Sequence, residues 1–118
     1  MPRKKPLKYE IKDIIYDYNK DLYNEVIEKS QGFLELFPDS DYYDVVLLKS
    51  GEAYEGLLAT KYYMVMEGGE PENEAKELFM EKYGHYQCWV ETPCGLRYNL
   101  ARYKEMMEKF PDSPWADE

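Results

Sequence analysis

The residues of this chain that are best suited to bind a soft metal ion lie close together: His85, Cys88 and Cys94. A structural zinc site takes four such ligands, commonly in two closely spaced pairs. The chain holds one histidine and two cysteines, so we expect no metal and no cofactor. The cysteines have two alternatives, either reduced thiols, which is the default, or a Cys88–Cys94 disulfide in an oxidising compartment.

Nucleophilic catalysis lacks its usual residues in this sequence. His85 is the sole imidazole, and no serine or cysteine stands in a glycine-flanked nucleophile motif. Gly68-Gly69 is not followed by the Lys-Ser/Thr pair of a phosphate-binding loop. Carboxylate pairs such as Glu52 and Glu55 are frequent, but in a chain with 24 acidic residues they usually mark a solvated face. We therefore expect a protein that is not an enzyme.

Net charge indicates the class of partner. The 118 residues carry 15 basic and 24 acidic side chains, which gives a net charge of −9. An acidic surface repels the phosphates of nucleic acids. We therefore expect a protein or peptide partner of basic character and no nucleic acid. Apolar runs are shorter than the roughly 18 residues that a spanning helix needs, so no membrane insertion is expected.

The length of the chain is that of one domain. Residues 1–8 hold four basic residues and no acidic residue, which predicts a flexible basic tail ahead of a single domain at 9–118. No apolar stretch follows these charges, as it would in a secretory signal, so the default compartment is the cytoplasm. The alternative is the periplasm, if the chain is a fragment of an envelope protein.

Five segments repeat apolar residues every three to four positions, as one face of an α-helix does. Proline, paired glycines and capping residues separate them, with Asp21 as the cap of the second helix. We predict a loop at 84–92, with Thr92-Pro93 as the cap and first residue of the last helix. The helices predicted in this way cover approximately 11–18, 22–37, 41–66, 71–83 and 93–110.

A short motif recurs after two of these helices. Phe37-Pro38-Asp39-Ser40 reappears 73 residues later as Phe110-Pro111-Asp112-Ser113. In each copy the aromatic residue closes a helix onto the core, the proline ends it, and the aspartate and serine can cap the next helix. An offset of 73 residues is close to two periods of a helical repeat of about 34 residues.

These junctions resemble those of tetratricopeptide-type repeats, of the kind found in bacterial envelope-assembly lipoproteins and cell-division coordinators. The segment Ser50-Gly51-Glu52-Ala53-Tyr54 is similar to the first-helix pattern of that family, and residues 67–94 depart from it as a degenerate insert. The resemblance implies an all-α fold of antiparallel helical hairpins, a solenoid segment of about five helices. It also implies a concave groove, which in this sequence would be lined by Val45, Leu48, Glu52, Glu55 and Tyr62.

The function favoured by these features is a non-enzymatic scaffold that binds a basic or amphipathic peptide in an acidic, tyrosine-rich groove. The 13 tyrosines combine contact area with a polar tip, as interface residues do, although we expect most of them to pack between helices. The alternative function is a small acidic inhibitor or immunity-type protein that occludes a basic site on an enzyme. A third is self-association through the C-terminal end of the repeat.

Overall fold

The protein is mostly helical, with one small β-hairpin. A computed structural model describes residues 7–114, and their side chains from Ile11 onward. If the continuous run from Tyr43 to Glu67 is counted as one helix, the described residues form five helices, as predicted. The elements in chain order are α1 (Leu7–Asn19), α2 (Tyr23–Leu36), α3 (Tyr43–Leu58), a π-helical segment (Ala59–Tyr63), α4 (Met64–Glu67), α5 (Glu72–Tyr83), a 3-10 turn (Gly84–Tyr86), β1 (Trp89–Thr92), β2 (Gly95–Tyr98) and α6 (Ala101–Lys109).

The connection between α1 and α2 differs from the prediction at Asp21. This residue adopts a left-handed conformation with φ of 60°, and no side chain caps the start of α2. The turn is closed instead by the backbone, because the Leu22 N–H donates to the Asp17 carbonyl at 2.9 Å. The Asp21 carboxylate accepts the Tyr23 hydroxyl at 3.1 Å. The prediction of Asp21 as a helix cap is therefore wrong.

Helix α1 begins at Leu7, so the last two residues of the predicted 1–8 tail are helical. The rest of the predicted tail lies outside the described residues.

Helix α3 is the centre of the fold, with α2 and α6 packed against it. Two glycines allow these neighbours to approach closely. A Cβ atom on Gly51 would lie 2.5 Å from the ring of Tyr103 on α6, and one on Gly56 would lie 2.6 Å from the ring of Tyr23 on α2. Each tyrosine ring therefore lies directly on the backbone of α3. The core residues of α3 are Tyr43, Val46, Leu47, Leu48, Ala53, Tyr54, Leu57 and Leu58.

The predicted helix over 41–66 is confirmed, with one irregularity. Residues Ala59–Tyr63 widen into a π-helical segment before α4 completes the run. The Thr60 hydroxyl of this segment donates to the Gly56 carbonyl of α3 at 2.9 Å. Because a π-helical turn holds an extra residue, it changes which side of the helix the following residues face. Tyr62 is completely buried here.

The region predicted as a loop and a helix start is a β-hairpin. Strands β1 and β2 pair antiparallel, with Thr92 opposite Gly95. Gly95 has a φ of 104°, a conformation that glycine adopts without strain. The Thr92 hydroxyl accepts the Cys94 N–H at 3.1 Å and donates to the Gly95 carbonyl at 2.9 Å. Thr92-Pro93 thus belongs to a turn and does not begin a helix, and α6 starts eight residues later than predicted, at Ala101.

The recurring motif adopts the same backbone geometry in both copies. Phe37 has φ and ψ of −130° and 60°, and Phe110 has −134° and 57°. Both aromatic residues donate their N–H to the carbonyl four residues earlier, at 2.9 and 2.8 Å, and both accept the N–H of the serine that ends the motif, at 3.1 and 3.0 Å. The four-residue motif therefore adopts the same local backbone conformation at both positions. In the first copy it spans Phe37, Pro38, Asp39 and Ser40, and in the second it spans Phe110, Pro111, Asp112 and Ser113.

Both copies of the motif lie at the N-terminal end of α3. The first leads directly into that helix. In the second, the Phe110 ring lies 5.7 Å from that of Tyr43, and the Ser113 hydroxyl donates to Asp44 at 2.7 Å. Helices α2 and α6 consequently run in the same direction, antiparallel to α3. Within residues 7–114, no helix is both long and apolar enough to cross a membrane.

Candidate functional site

The predicted groove residues divide between the surface and the core. Val45 and Glu52 are half-buried and Glu55 is exposed. Leu48 and Tyr62 are 5% and 0% exposed, so neither side chain reaches the surface. The prediction that these two residues line a groove is therefore wrong for the structure as it stands. The other three share one side of α3.

This side of α3 forms a narrow surface that we call the α3 strip. It consists of Val45, Lys49, Glu52 and Glu55, whose spacings of four, three and three residues keep them on one helical face. Tyr18, at the end of α1, and Tyr103, on α6, lie along its two edges. The strip therefore combines two carboxylates, one ammonium group and two aromatic rings.

Lys49 occupies one edge of the α3 strip. Its ammonium group lies 3.2 Å from Glu52 Oε1 and 4.4 Å from the centre of the Tyr18 ring. Glu52 Oε1 is buried, and its close contact among the described residues is this ion pair with Lys49, which lacks the alignment of a hydrogen bond. A carboxylate beside the face of a tyrosine is an environment that attracts a cation. Lys49 shows that an ammonium group fits this position.

Glu55 lies toward the other edge. The Tyr103 hydroxyl donates to Glu55 Oε1 at 2.8 Å. Burial raises the pKa of Tyr103, and the adjacent Glu55 and Glu52 carboxylates raise it further. The pKa of Tyr18 is likewise raised by burial first, and then by the charges of Glu52, Asp21 and Glu55. The carboxylates of the strip thus disfavour the negatively charged phenolate form of both tyrosines. The same negative charges would attract a basic side chain.

Residues 67–94, which the sequence predicts to be a degenerate insert, contribute to the same core as the rest of the described chain. The Phe79 and Trp89 rings meet edge to face at 4.9 Å, and the Trp89 indole N–H donates to the Tyr83 carbonyl at 2.9 Å. Tyr54 of α3 stacks on Tyr98 of β2 at 4.9 Å. Much of the tyrosine content of the chain therefore packs elements together, as expected. The rings connected in this cluster are Tyr54, Tyr62, Tyr63, Phe79, Tyr83, Tyr86, Trp89, Tyr98 and Tyr103.

The two cysteines are free and far apart. Cys88 precedes β1 and is buried, whereas Cys94 lies exposed in the turn after Thr92. Four steps along the strand separate Cys88 from Thr92, about 13 Å at 3.3 Å per residue, and a disulfide needs Cα atoms within about 7 Å. The Cys88–Cys94 disulfide is therefore wrong as an alternative. Among the described residues, no group of three histidine, cysteine or acidic residues is placed to hold a metal ion.

Sequence reasoning missed three members of the site. Lys49 could have been predicted from the sequence, because it precedes Glu52 by three residues on the same helix and oppositely charged residues at that spacing are neighbours. Tyr18 and Tyr103 could not, since they reach α3 from helices 31 and 54 residues away from Lys49 in the chain. No family model, curated protein sequence or solved structure matches this chain.

Proposed function

We propose that the protein is a binding module that holds a basic segment of a partner protein on the α3 strip. The observation that carries this proposal is the pairing of Glu52 and Glu55 with the rings of Tyr18 and Tyr103 on one open side of the central helix. Carboxylates form charge-assisted hydrogen bonds with Lys and Arg, and tyrosine faces attract the same cations.

The dimensions of the strip suit a short segment. Ten residues separate Val45 from Glu55, about 15 Å along a helix. An extended peptide of about five residues has that length. Val45 offers an apolar contact at one end, and Glu52 and Glu55 offer negative charge at the other. The expected ligand therefore carries an apolar residue followed or preceded by one or two Lys or Arg side chains.

A tetratricopeptide-like arrangement is part of this proposal. Its support is the repeated junction, in which Phe37 and Phe110 share their backbone angles and hydrogen bonds. Further support is that α2 and α6 both run antiparallel to α3. The helix and hairpin at 72–98 would then be an insertion between two related units.

Binding of a fluorescent Lys/Leu peptide, followed by anisotropy, tests the proposal. The variant Glu52→Lys/Glu55→Lys places two positive charges on the strip. The matched control is Glu74→Lys/Glu77→Lys on α5, where both residues are exposed and have the same three-residue spacing. Both variants change the net charge equally, and circular dichroism checks that both remain folded.

We expect the strip variant to lose about 5- to 30-fold in affinity, since contacts of this kind contribute roughly 0.5–1 kcal/mol each and 1.4 kcal/mol is tenfold. The control should lose much less. Equal losses in both variants would mean that net charge alone attracts the peptide, and would contradict the proposed site. Binding to a folded basic protein, but not to the peptide, would support the acidic-inhibitor alternative.

A further inference from the structure

Building on the proposed function, we propose that Lys49 is an internal ligand of the α3 strip and that an arginine side chain of the partner segment takes its place. The Glu52 carboxylate and the Tyr18 ring together form what we call the cation site. In the free chain the Lys49 ammonium group occupies it, 3.2 Å from Glu52 Oε1 and 4.4 Å from the centre of the Tyr18 ring. A partner cation that uses these two groups must therefore displace Lys49, so this lysine sets which ligands the strip accepts.

Lys49 blocks the cation site to a second positive charge. Glu52 Oε1 is a buried atom, although 33% of the Glu52 side chain is exposed. The exposed part of Glu52 can attract a basic segment, but the buried oxygen lies beside the ammonium group. Two like charges within about 4 Å repel one another, so an ammonium or guanidinium group of the partner cannot share Oε1 with Lys49.

Lys49 is held by interactions that a ligand can replace. Its ion pair with Glu52 lacks the alignment of a hydrogen bond, and partly exposed ion pairs contribute little stability. An ammonium group over a tyrosine face at the protein surface adds a modest amount. The lysine stem is flexible and can carry its charge into water while helix α3 keeps its conformation. Displacement therefore changes one side chain and no backbone.

The cation site suits a guanidinium group better than an ammonium group. A guanidinium group presents a planar fork of N–H donors that can bind both oxygens of a carboxylate, and the same plane stacks on an aromatic ring. Tyr18 and Glu52 come from α1 and α3, and they are close enough for the Glu52 charge to raise the pKa of Tyr18, after the larger effect of burial. A partner lysine would only repeat the contacts of Lys49, whereas an arginine would add hydrogen bonds to Glu52.

Two fluorescent peptides test the proposal by anisotropy, the Lys/Leu peptide and a copy with arginine in place of each lysine. The variant Lys49→Met keeps an unbranched side chain and removes the charge. The matched control is Lys76→Met on α5, because Lys76 forms a comparable ion pair with Glu91 at 3.1 Å and its loss changes the net charge equally. We expect Lys49→Met to bind the Arg/Leu peptide about three- to tenfold more tightly than the wild type does, since it removes one weak ion pair and one cation–π contact that compete with the ligand. The control should gain much less.

Two comparisons separate occupancy of the cation site from net charge. In a Glu52→Gln background, Lys49→Met should lose its effect, and the double-mutant cycle measures that coupling. A gain that persists in this background, or that Lys76→Met matches, would overturn the proposal, because Lys49 would then act through net charge alone. The wild type should bind the Arg/Leu peptide more tightly than the Lys/Leu peptide, and equal affinities would overturn the assignment of arginine. Circular dichroism checks that each variant is folded.

Nuclear magnetic resonance observes the displacement directly in the wild type. The end of the Lys49 side chain lies over the Tyr18 ring in the free protein, so the ring should shift its ε-methylene signal upfield, and Lys49→Met identifies that signal. Saturating Arg/Leu peptide should return the signal to the position of an exposed lysine. A bound peptide that leaves the signal unchanged would overturn the displacement of Lys49 and leave the proposed function intact. If neither peptide binds the wild type or Lys49→Met, the proposed function itself fails.

Discussion

The substitution Gly51→Ala should destabilise the protein, although alanine favours helices. Alanine in place of a helical glycine contributes about 1 kcal/mol of stability by itself. Here the added Cβ would lie 2.5 Å from Cε1 and 2.8 Å from Cζ of Tyr103. The ring cannot move away freely because its hydroxyl is hydrogen-bonded to Glu55 at 2.8 Å.

The expected magnitude follows from these opposing effects. Forcing an extra carbon into a packed site costs about 1–3 kcal/mol, and losing the Tyr103–Glu55 hydrogen bond costs about 1 kcal/mol more. We expect a net loss of about 1–3 kcal/mol in the free energy of unfolding. In a domain of this size each kcal/mol of lost stability lowers Tm by roughly 3–6 °C. Urea denaturation and a thermal scan both measure it.

Gly32→Ala is the matched control. Gly32 also lies within a helix, but no atom lies within 4 Å of the position that its Cβ would occupy. This variant should therefore gain about 0.5–1 kcal/mol. The reasoning is refuted if Gly51→Ala is as stable as Gly32→Ala. In a Tyr103→Ala background, where the ring is absent, Gly51→Ala should lose its penalty, and the double-mutant cycle measures that coupling.

Two further predictions concern the thiols and the tyrosines. Cys94 is exposed and Cys88 is buried, and burial raises the pKa of the Cys88 thiol to about 12. A thiol reagent at pH 8 should therefore modify one cysteine in the native protein and two after denaturation. Mass spectrometry counts the modified cysteines. Rapid modification of both native thiols would contradict the buried position of Cys88. Burial raises the pKa of Tyr86 to about 12, so the folded state keeps its phenol proton above pH 10 while the unfolded state loses it. Stability should therefore be unaffected by this group below pH 10 and decrease between pH 10 and 12, and phenolate absorbance and denaturation across that range check it.

Most of the helices could be predicted because their signals are local. Apolar spacing, Pro38 and Pro111 are sufficient to place the ends of α2 and α6, and Gly68-Gly69 ends the long helical run. The β-hairpin could not be predicted in the same way. Thr92-Pro93 suits both a helix start and a turn. The contacts that hold the hairpin, such as Trp89 on Tyr54, join residues distant in the sequence.

The α3 strip was predictable only in part, for a related reason. Glu52 and Glu55 share a helical face, which their spacing of three residues already indicates. Tyr62 lies within the π-helical segment and is buried. The regular α-helical period, from which the sequence analysis assigned residues to a face, does not account for the extra residue of a π-helical turn. Tyr103 joins Glu55 across 48 residues, a pairing that requires knowledge of how α6 packs.

The packing of α6 against α3 has a consequence for how the chain folds. Helices α1, α2 and α3 are consecutive, so their contacts close short loops. The contacts of α6 join residues 48 to 71 positions apart, as in Glu55 with Tyr103, Tyr43 with Glu105 and Gln31 with Arg102. Closing such long loops is slow and costs entropy, so α6 should dock last and detach first in native-state hydrogen exchange. Since α6 supplies Tyr103 to one edge of the α3 strip, a ligand bound there would slow that detachment and protect the amides of α6.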